Sequence, residues 1–346
     1  MTETKRYDYL DIAKGLGILA VVWAHIMLVG WSHKVIYAFH MPLFFFISGM
    51  LFGRKKYDSF LSFLRKRAKR LLLPYALYSV ATWGIWALFR FLRHDQVDSY
   101  WNPLLQTLIA QGSGEFMVHN SALWFVPCLF VVELMYWGLS KLKDWQTILA
   151  CFTLAGLSFL FGHLWGSAYW FMLPYNFDAA LIALPFYSVG NLVIKHHPHT
   201  EIVGFVNNHR FWSWSVFVLL TVVLVAGALS FGECSMGSSS YQCNGGIFLI
   251  RAFVGCFAVI LFSILISPKY GQVAAMRPLI WYGRNSLDVM CLHIPAKGVV
   301  MIFIAKFLST DVDYLSSHWG GAIAAFVVTM IGVSAVIQFI NRYIRK

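Results

Sequence analysis

The chain has 346 residues, 59% hydrophobic and only 12% charged, with a formal net charge of +12. No soluble domain of this size carries that balance, which excludes a water-soluble enzyme. The basic residues lie in short segments between apolar runs, the pattern of a polytopic membrane protein embedded in lipid and not of a nucleic-acid binder.

Ten apolar runs are long enough, at about 20 residues each, to cross a bilayer as helices. They lie near residues 12–31, 35–53, 71–92, 121–140, 145–162, 178–194, 211–231, 247–267, 286–308 and 319–341. The expected fold is an all-α membrane protein, a polytopic bundle of about ten transmembrane helices forming one domain over 1–346. Lys5-Arg6 precede the first run. That run is too long for a signal peptide and no small-x-small site follows it, so it reads as a retained helix.

The first run holds Lys14 and His25, and the second holds His40. Lys14 and His25 are eleven positions apart, which returns to within about 20° of one helical face over a rise of roughly 16 Å. A charge at mid-bilayer costs roughly 2.5–3.5 kcal/mol, so such residues usually face an aqueous cavity or a partner. Taken singly, Lys14 reads equally well as a snorkelling cation and His25 as a packed, hydrogen-bonded ring. Together on one face they favour function. Asp11, one turn earlier, is a pairing partner for Lys14. His40 has three readings: orienting His25, binding an acceptor, or bonding a backbone carbonyl.

Arg54–Arg70 carries eight basic residues and reads first as a topology anchor on an anionic leaflet. Binding of an anionic cosubstrate is its second reading. Pro103–Gln111 is too short to span and suits a re-entrant or surface helix. The aromatic stretch Gly162–Phe177 suits the interface. His196-His197-Pro198-His199 is too crowded for a metal site on one helix face and reads as solvated, so no metal is expected. Cys128, Cys151, Cys256 and Cys291 lie in apolar runs as small hydrophobes. Cys234 and Cys243 flank a polar loop where an oxidising compartment would join them.

Arg251, one turn inside the eighth run, binds an anionic acceptor or snorkels. Further on, Asn285 or Ser286 reads as an N-cap and Asp288 as a first-turn dipole partner. With Arg284 beside it, the same helix start also suits a phosphate. His293 lies two turns deeper. Basic residues cluster at Lys5-Arg6, Arg54–Arg70, Lys141/Lys143, Lys195/Arg210, Lys269/Arg277/Arg284 and Arg342/Arg345/Lys346. The loops 112–120, 163–177, 232–246 and 309–318 contain none, with Lys34, Arg90 and Arg93 as exceptions. Both termini are therefore expected in the cytoplasm.

Several stretches stand in a distinctive order. They are Tyr9-Leu10-Asp11-Ile12-Ala13-Lys14-Gly15 with His25, the Phe39–Gly49 run, Arg70-Leu71-Leu72-Leu73-Pro74-Tyr75, Ala122–Pro127, Leu184–Gly190, Trp281–Leu287 and His293. In this order the chain resembles the integral-membrane acyltransferase 3 family, particularly its branch similar to fucose-type sugar O-acetylases. The resemblance covers nearly the whole chain. It implies a ten-helix bundle in a bacterial cytoplasmic (inner) membrane that moves acetyl from cytoplasmic acetyl-CoA to a hydroxyl of a surface polysaccharide or lipid-linked saccharide. The family signature is a basic residue separated by ten residues from an essential histidine, here Lys14 and His25. Many members have arginine where this chain has Lys14, which keeps the charge without the bidentate fork.

On this reading His25 is the catalytic base with His40 in support, because a neutral imidazole suits removal of a hydroxyl proton near neutral pH. Lys14, Arg284, Ser286 and His293 are the candidates for binding acetyl-CoA and lining the acyl path. Arg251, Trp124 and Asp178 are the candidates for binding the acceptor. The rival reading is a transporter or flippase of a lipid-linked saccharide. Internal repeats would favour it, and none is visible.

Overall fold

The computed structural model describes residues 7–112, 116–165, 173–238, 240–241, 244–267 and 273–344. In hydrocarbon a backbone must satisfy its own polar groups, which restricts an edge-free span of this composition to helices. The helices are α1 (Asp8–Ile26), α2 (Trp31–Tyr37), α3 (His40–Leu51), α4 (Phe60–Leu92), α5 (Asn102–Leu105), α6 (Phe125–Leu139), α7 (Asp144–Trp165) and α8 (Phe177–His196). They continue as α9 (His199–Asn208), α10 (Arg210–Ser230), α11 (Gly245–Ile266), α12 (Val273–Arg284), α13 (Ser286–Phe307), α14 (Val312–Ser317) and α15 (Trp319–Tyr343). Among the described residues ten segments are long and apolar enough to cross a membrane, and they coincide with the ten expected runs. The chain is a polytopic helical bundle. A short antiparallel pair, β1 (Cys234–Ser235) and β2 (Ser240–Tyr241), folds the loop before α11 back on itself.

The centre of the bundle is made by α1, the α2–α3 span, α6 and α8, whereas α7, α10 and α15 turn most of their surface outward. Two glycine seams set the closest approaches. A Cβ on Gly15 would collide with the Leu279 carbonyl, and one on Gly283 with the Asp11 carbonyl. The pair draws α12 onto the first half of α1. Gly49 meets the Tyr187 carbonyl and Gly190 that of Phe46 in the same way, locking α3 to α8. Small residues permit such contact where lipid offers no hydrophobic drive for helices to associate.

The second span is broken. Phe39 leaves the helical region at φ −142° and ψ −18°, ending α2 and placing His40 at the first position of α3. Pro42 follows in the first turn, where its missing N–H costs nothing. The break holds His40 by donation from Nδ1 to the Ile36 carbonyl, 2.9 Å away.

Three polar segments differ from expectation. Pro103–Gln111 forms only one turn, α5, and a 3-10 turn over Gln106–Leu108, because Ala110 sits at φ +56° and stops further helix. His199 is not solvated but buried, with Tyr7 stacked on it at 3.8 Å. Burial, aided by nearby Lys56, lowers its pKa to about 4. Neutral Nδ1 thus accepts the Tyr9 hydroxyl at 2.6 Å. The Arg54–Arg70 segment is more than an anchor, since Arg67 pairs with Glu133 inside the bundle. Arg54 also lies over the Trp137 ring. Of the Gly162–Phe177 stretch, residues 166–172 lie outside the described ones.

Candidate active site

His25 occupies the last turn of α1, where carbonyls lack intrahelical partners. Lys297 of α13 supplies one, donating from Nζ to the His25 carbonyl oxygen at 2.7 Å. A cation at a helix C-terminus also suits the macrodipole. One turn before Lys297, on the same face of α13, His293 is fully buried and sets Nε2 3.1 Å from His25 Nδ1.

Carbonyl partners assign the ring protons. His293 Nδ1 lies 3.0 Å from the Val289 carbonyl and 2.9 Å from that of Met290, so it donates and Nε2 is left as an acceptor. His25 Nδ1 lies 2.9 Å from the Val21 carbonyl and so carries its proton, shared with His293 Nε2. The remaining nitrogen of His25, Nε2, is then the one with a free lone pair. A neutral imidazole held in one tautomer by the bond at its other nitrogen is the arrangement a general base requires.

His25 lines a cavity of about 210 Å³ together with His40, Tyr37, Ser121, Trp124 and the 235–238 segment. His40 also donates from Nδ1, leaving Nε2 as its acceptor. The two histidines thus face one chamber without touching each other. Trp124 forms part of the wall, its ring seated against Gly112 and Gly237, where a Cβ at either position would collide with it. Asn176 ties that wall together, accepting from the Gly112 N–H at 2.9 Å and donating to the Gly237 carbonyl at 2.8 Å.

The other acceptor candidates lie elsewhere. Arg251 donates to the carbonyls of Gly227, Phe231 and Gly232 at 3.1, 3.4 and 3.2 Å, pinning the end of α10 and the start of the loop over the cavity. Asp178 is buried in the first turn of α8 and does not line the chamber. Cys234 is disulfide-bonded; Cys243, its expected partner, lies outside the described residues.

The loop is also held by Glu233, which accepts from His33 Nε2 at 3.3 Å. That bond holds the Glu233 carboxyl below its ordinary value of 4.5. A lowered folded pKa means the contribution is present above the ordinary value and disappears as pH falls through the folded one. Glu233→Gln is therefore expected to lower stability above about pH 4.5 and to converge with the wild type as pH falls below it, checked by thermal melts of solubilised protein across pH.

At the opposite end of α1, Lys14 pairs with Asp11 at 2.6 Å. Arg284 reaches Asp11 at 3.2 Å and Asp8 at 3.5 Å. The cations Lys14 and Arg284 are thus interleaved with two carboxylates. Ser286 opens α13 beside them. Asn285 holds the N-cap position without capping; it donates instead to the Trp281 carbonyl at 2.8 Å. Asp288 accepts from the Tyr78 hydroxyl at 2.7 Å, joining α13 to α4. His293, the candidate for the acyl path, lies deeper in α13 beside His25.

Two members of the site escaped the sequence reading. Lys297 was visible as a cation four residues after His293 in an apolar run, the default mark of a functional position. Asn120 carried no such mark. Pro295 has no N–H for the Cys291 carbonyl, and Asn120 donates to that oxygen at 2.6 Å. This satisfies the carbonyl freed by Pro295 in the turn of α13 that carries His293.

With this geometry in view, a family model described as an acyltransferase domain matches residues 7–338. No curated protein and no solved structure matches the chain.

Proposed function

The chain belongs to the acyltransferase-domain family, and from that membership we propose that it moves an acetyl group from acetyl-CoA to a saccharide hydroxyl, with His25 as general base. The observation that supports this most is the unprotonated Nε2 of His25 at the wall of a polar chamber, its other nitrogen engaged by Val21 and His293. Nε2 removes the proton as the hydroxyl oxygen attacks the thioester carbonyl. The carbon–sulfur bond breaks, and the leaving thiolate takes the proton from the His25 imidazolium to give CoA and the free base again. His293 accepts the Nδ1 proton's hydrogen bond and stabilises the imidazolium that forms. An acetyl-histidine intermediate is the alternative route to the same products.

In this reading the protein sits in a bacterial cytoplasmic membrane with both termini in the cytoplasm. Acetyl-CoA then binds near Lys14, Arg284 and Ser286, and the acceptor, free or lipid-linked, enters the His25 chamber from the other face. The charged phosphates of CoA stay at the basic end while its pantetheine arm reaches inward. Lys14→Ala and Arg284→Ala should each raise KM for acetyl-CoA about tenfold, the scale of one charge-assisted contact. Unchanged KM for the donor in both variants would move the donor site elsewhere. The test of the function itself is CoA release from acetyl-CoA by purified protein, dependent on a saccharide acceptor. A transporter would move the saccharide without consuming thioester.

A further inference from the structure

Beside the catalytic chamber lies a second cavity, of about 280 Å³, between the C-terminal end of α4 and the middle of α13. Its polar lining is Arg90, Arg93, Asp95, His119 and Lys297, three cations against one carboxylate. Asp95 pairs with Arg90 at 2.9 Å and with Arg93 at 3.6 Å, so neither guanidinium is neutralised alone. Arg90 also lies over the Trp86 ring, 6.0 Å from its centroid. His119 is only 2% exposed, and among the described residues neither of its ring nitrogens has a hydrogen-bond partner. A buried polar ring without partners costs free energy unless a ligand or water satisfies it.

The rest of the lining is apolar, and part of it is open to lipid: Ile85 and Ile302 are both exposed at the surface where a bilayer would lie. A cationic pocket with an apolar mouth in a membrane matches an anion carried on a hydrocarbon chain. Two connections join it to the chemistry. His119 is two residues from Ser121 of the catalytic chamber, and Lys297 holds the last turn of α1 through the His25 carbonyl.

We propose that this cavity receives the phosphate group of a lipid-linked saccharide acceptor, leaving the lipid chain in the bilayer and presenting the sugar to the adjacent His25 chamber. The proposal rests on the acyl-transfer reading above and narrows its acceptor to a phosphate-bearing lipid. Arg90 and Arg93 bind phosphate oxygens by charge-assisted donation. His119, which burial lowers to about 4 and so keeps neutral, contributes a hydrogen bond from either nitrogen.

The test is binding, measured by native mass spectrometry on the solubilised full-length protein with farnesyl diphosphate as the probe. Farnesyl diphosphate should bind the wild type, and Arg90→Ala/Arg93→Ala should weaken it at least about tenfold. Arg90→Lys/Arg93→Lys keeps the charge and should retain most of the binding, which separates loss of the site from loss of the fold. Farnesol and inorganic diphosphate should each bind far more weakly than the intact probe. Wild-type affinity in the double alanine variant would overturn the proposal. Inorganic diphosphate binding as tightly as the probe would make this a free-anion site and overturn it too, as would equal binding of phosphatidylglycerol. Because the readout is binding, a failure here leaves the His25 chemistry untouched, and a failure of acyl transfer leaves this result standing.

Discussion

His25→Ala, in protein that inserts and folds normally, should lose acetyl transfer by about 10²–10⁴-fold, the contribution of a positioned general base. The geometry makes this an expectation about one nitrogen. Nδ1 is committed to the Val21 carbonyl and His293, so only Nε2 can take a proton from an acceptor. Alanine removes that nitrogen without disturbing the basic-residue pattern that orients the helix. Lys297 keeps its bond too, because it reaches the backbone carbonyl of residue 25 and not the ring. His293→Ala should cost less, since Val21 still fixes the His25 tautomer. Combined with His25→Ala it should add little, because residues acting as one unit are not additive. Turnover in detergent or vesicles, alongside a melting curve, checks all three variants. Wild-type turnover in folded His25→Ala protein would remove His25 from the mechanism.

Arg67→Met should produce the largest loss of stability, about 3–5 kcal/mol, by leaving one member of a buried ion pair uncompensated. Glu133 is 0% exposed in the middle of α6, and its partner Arg67 belongs to the basic stretch at the start of α4. The two removals should differ. Glu133→Leu leaves Arg67 with a side chain that already reaches the surface and can extend to water. Arg67→Met strands the carboxylate. Arg67→Met/Glu133→Leu should recover much of the loss, since an apolar pair of similar volume often replaces a buried ion pair at little cost. Unfolding of the three variants in graded denaturant measures the order. Equal stability of Arg67→Met and wild type would mean that the pair does not hold α4 to α6.

The ten spans were legible because length and apolarity suffice to define a membrane helix. The charges within them were legible as sites because lipid penalises them. The partners were harder. His293 and His25 lie 268 residues apart, and nothing local in either helix states that α1 and α13 meet. His199 looked like one of a solvated cluster, and only the packing of Tyr7 and Tyr9 buries it. Arg67 was hidden among neighbours of like charge, although Glu133 stood alone as an acid in an apolar run. Arg251 could be read as a ligand site because nothing in sequence places the end of α10 and the loop after it around its guanidinium.

The central claim is that an acyl group delivered at the basic end of α1 is used at the His25 chamber on the opposite face. Protein reconstituted in one orientation into sealed vesicles tests it, with labelled acetyl-CoA on the side of Lys14 and a membrane-impermeant saccharide acceptor on the other. Label should appear on the acceptor across the intact bilayer, and none should appear with His25→Ala. Transfer only when donor and acceptor share one side would contradict the claim.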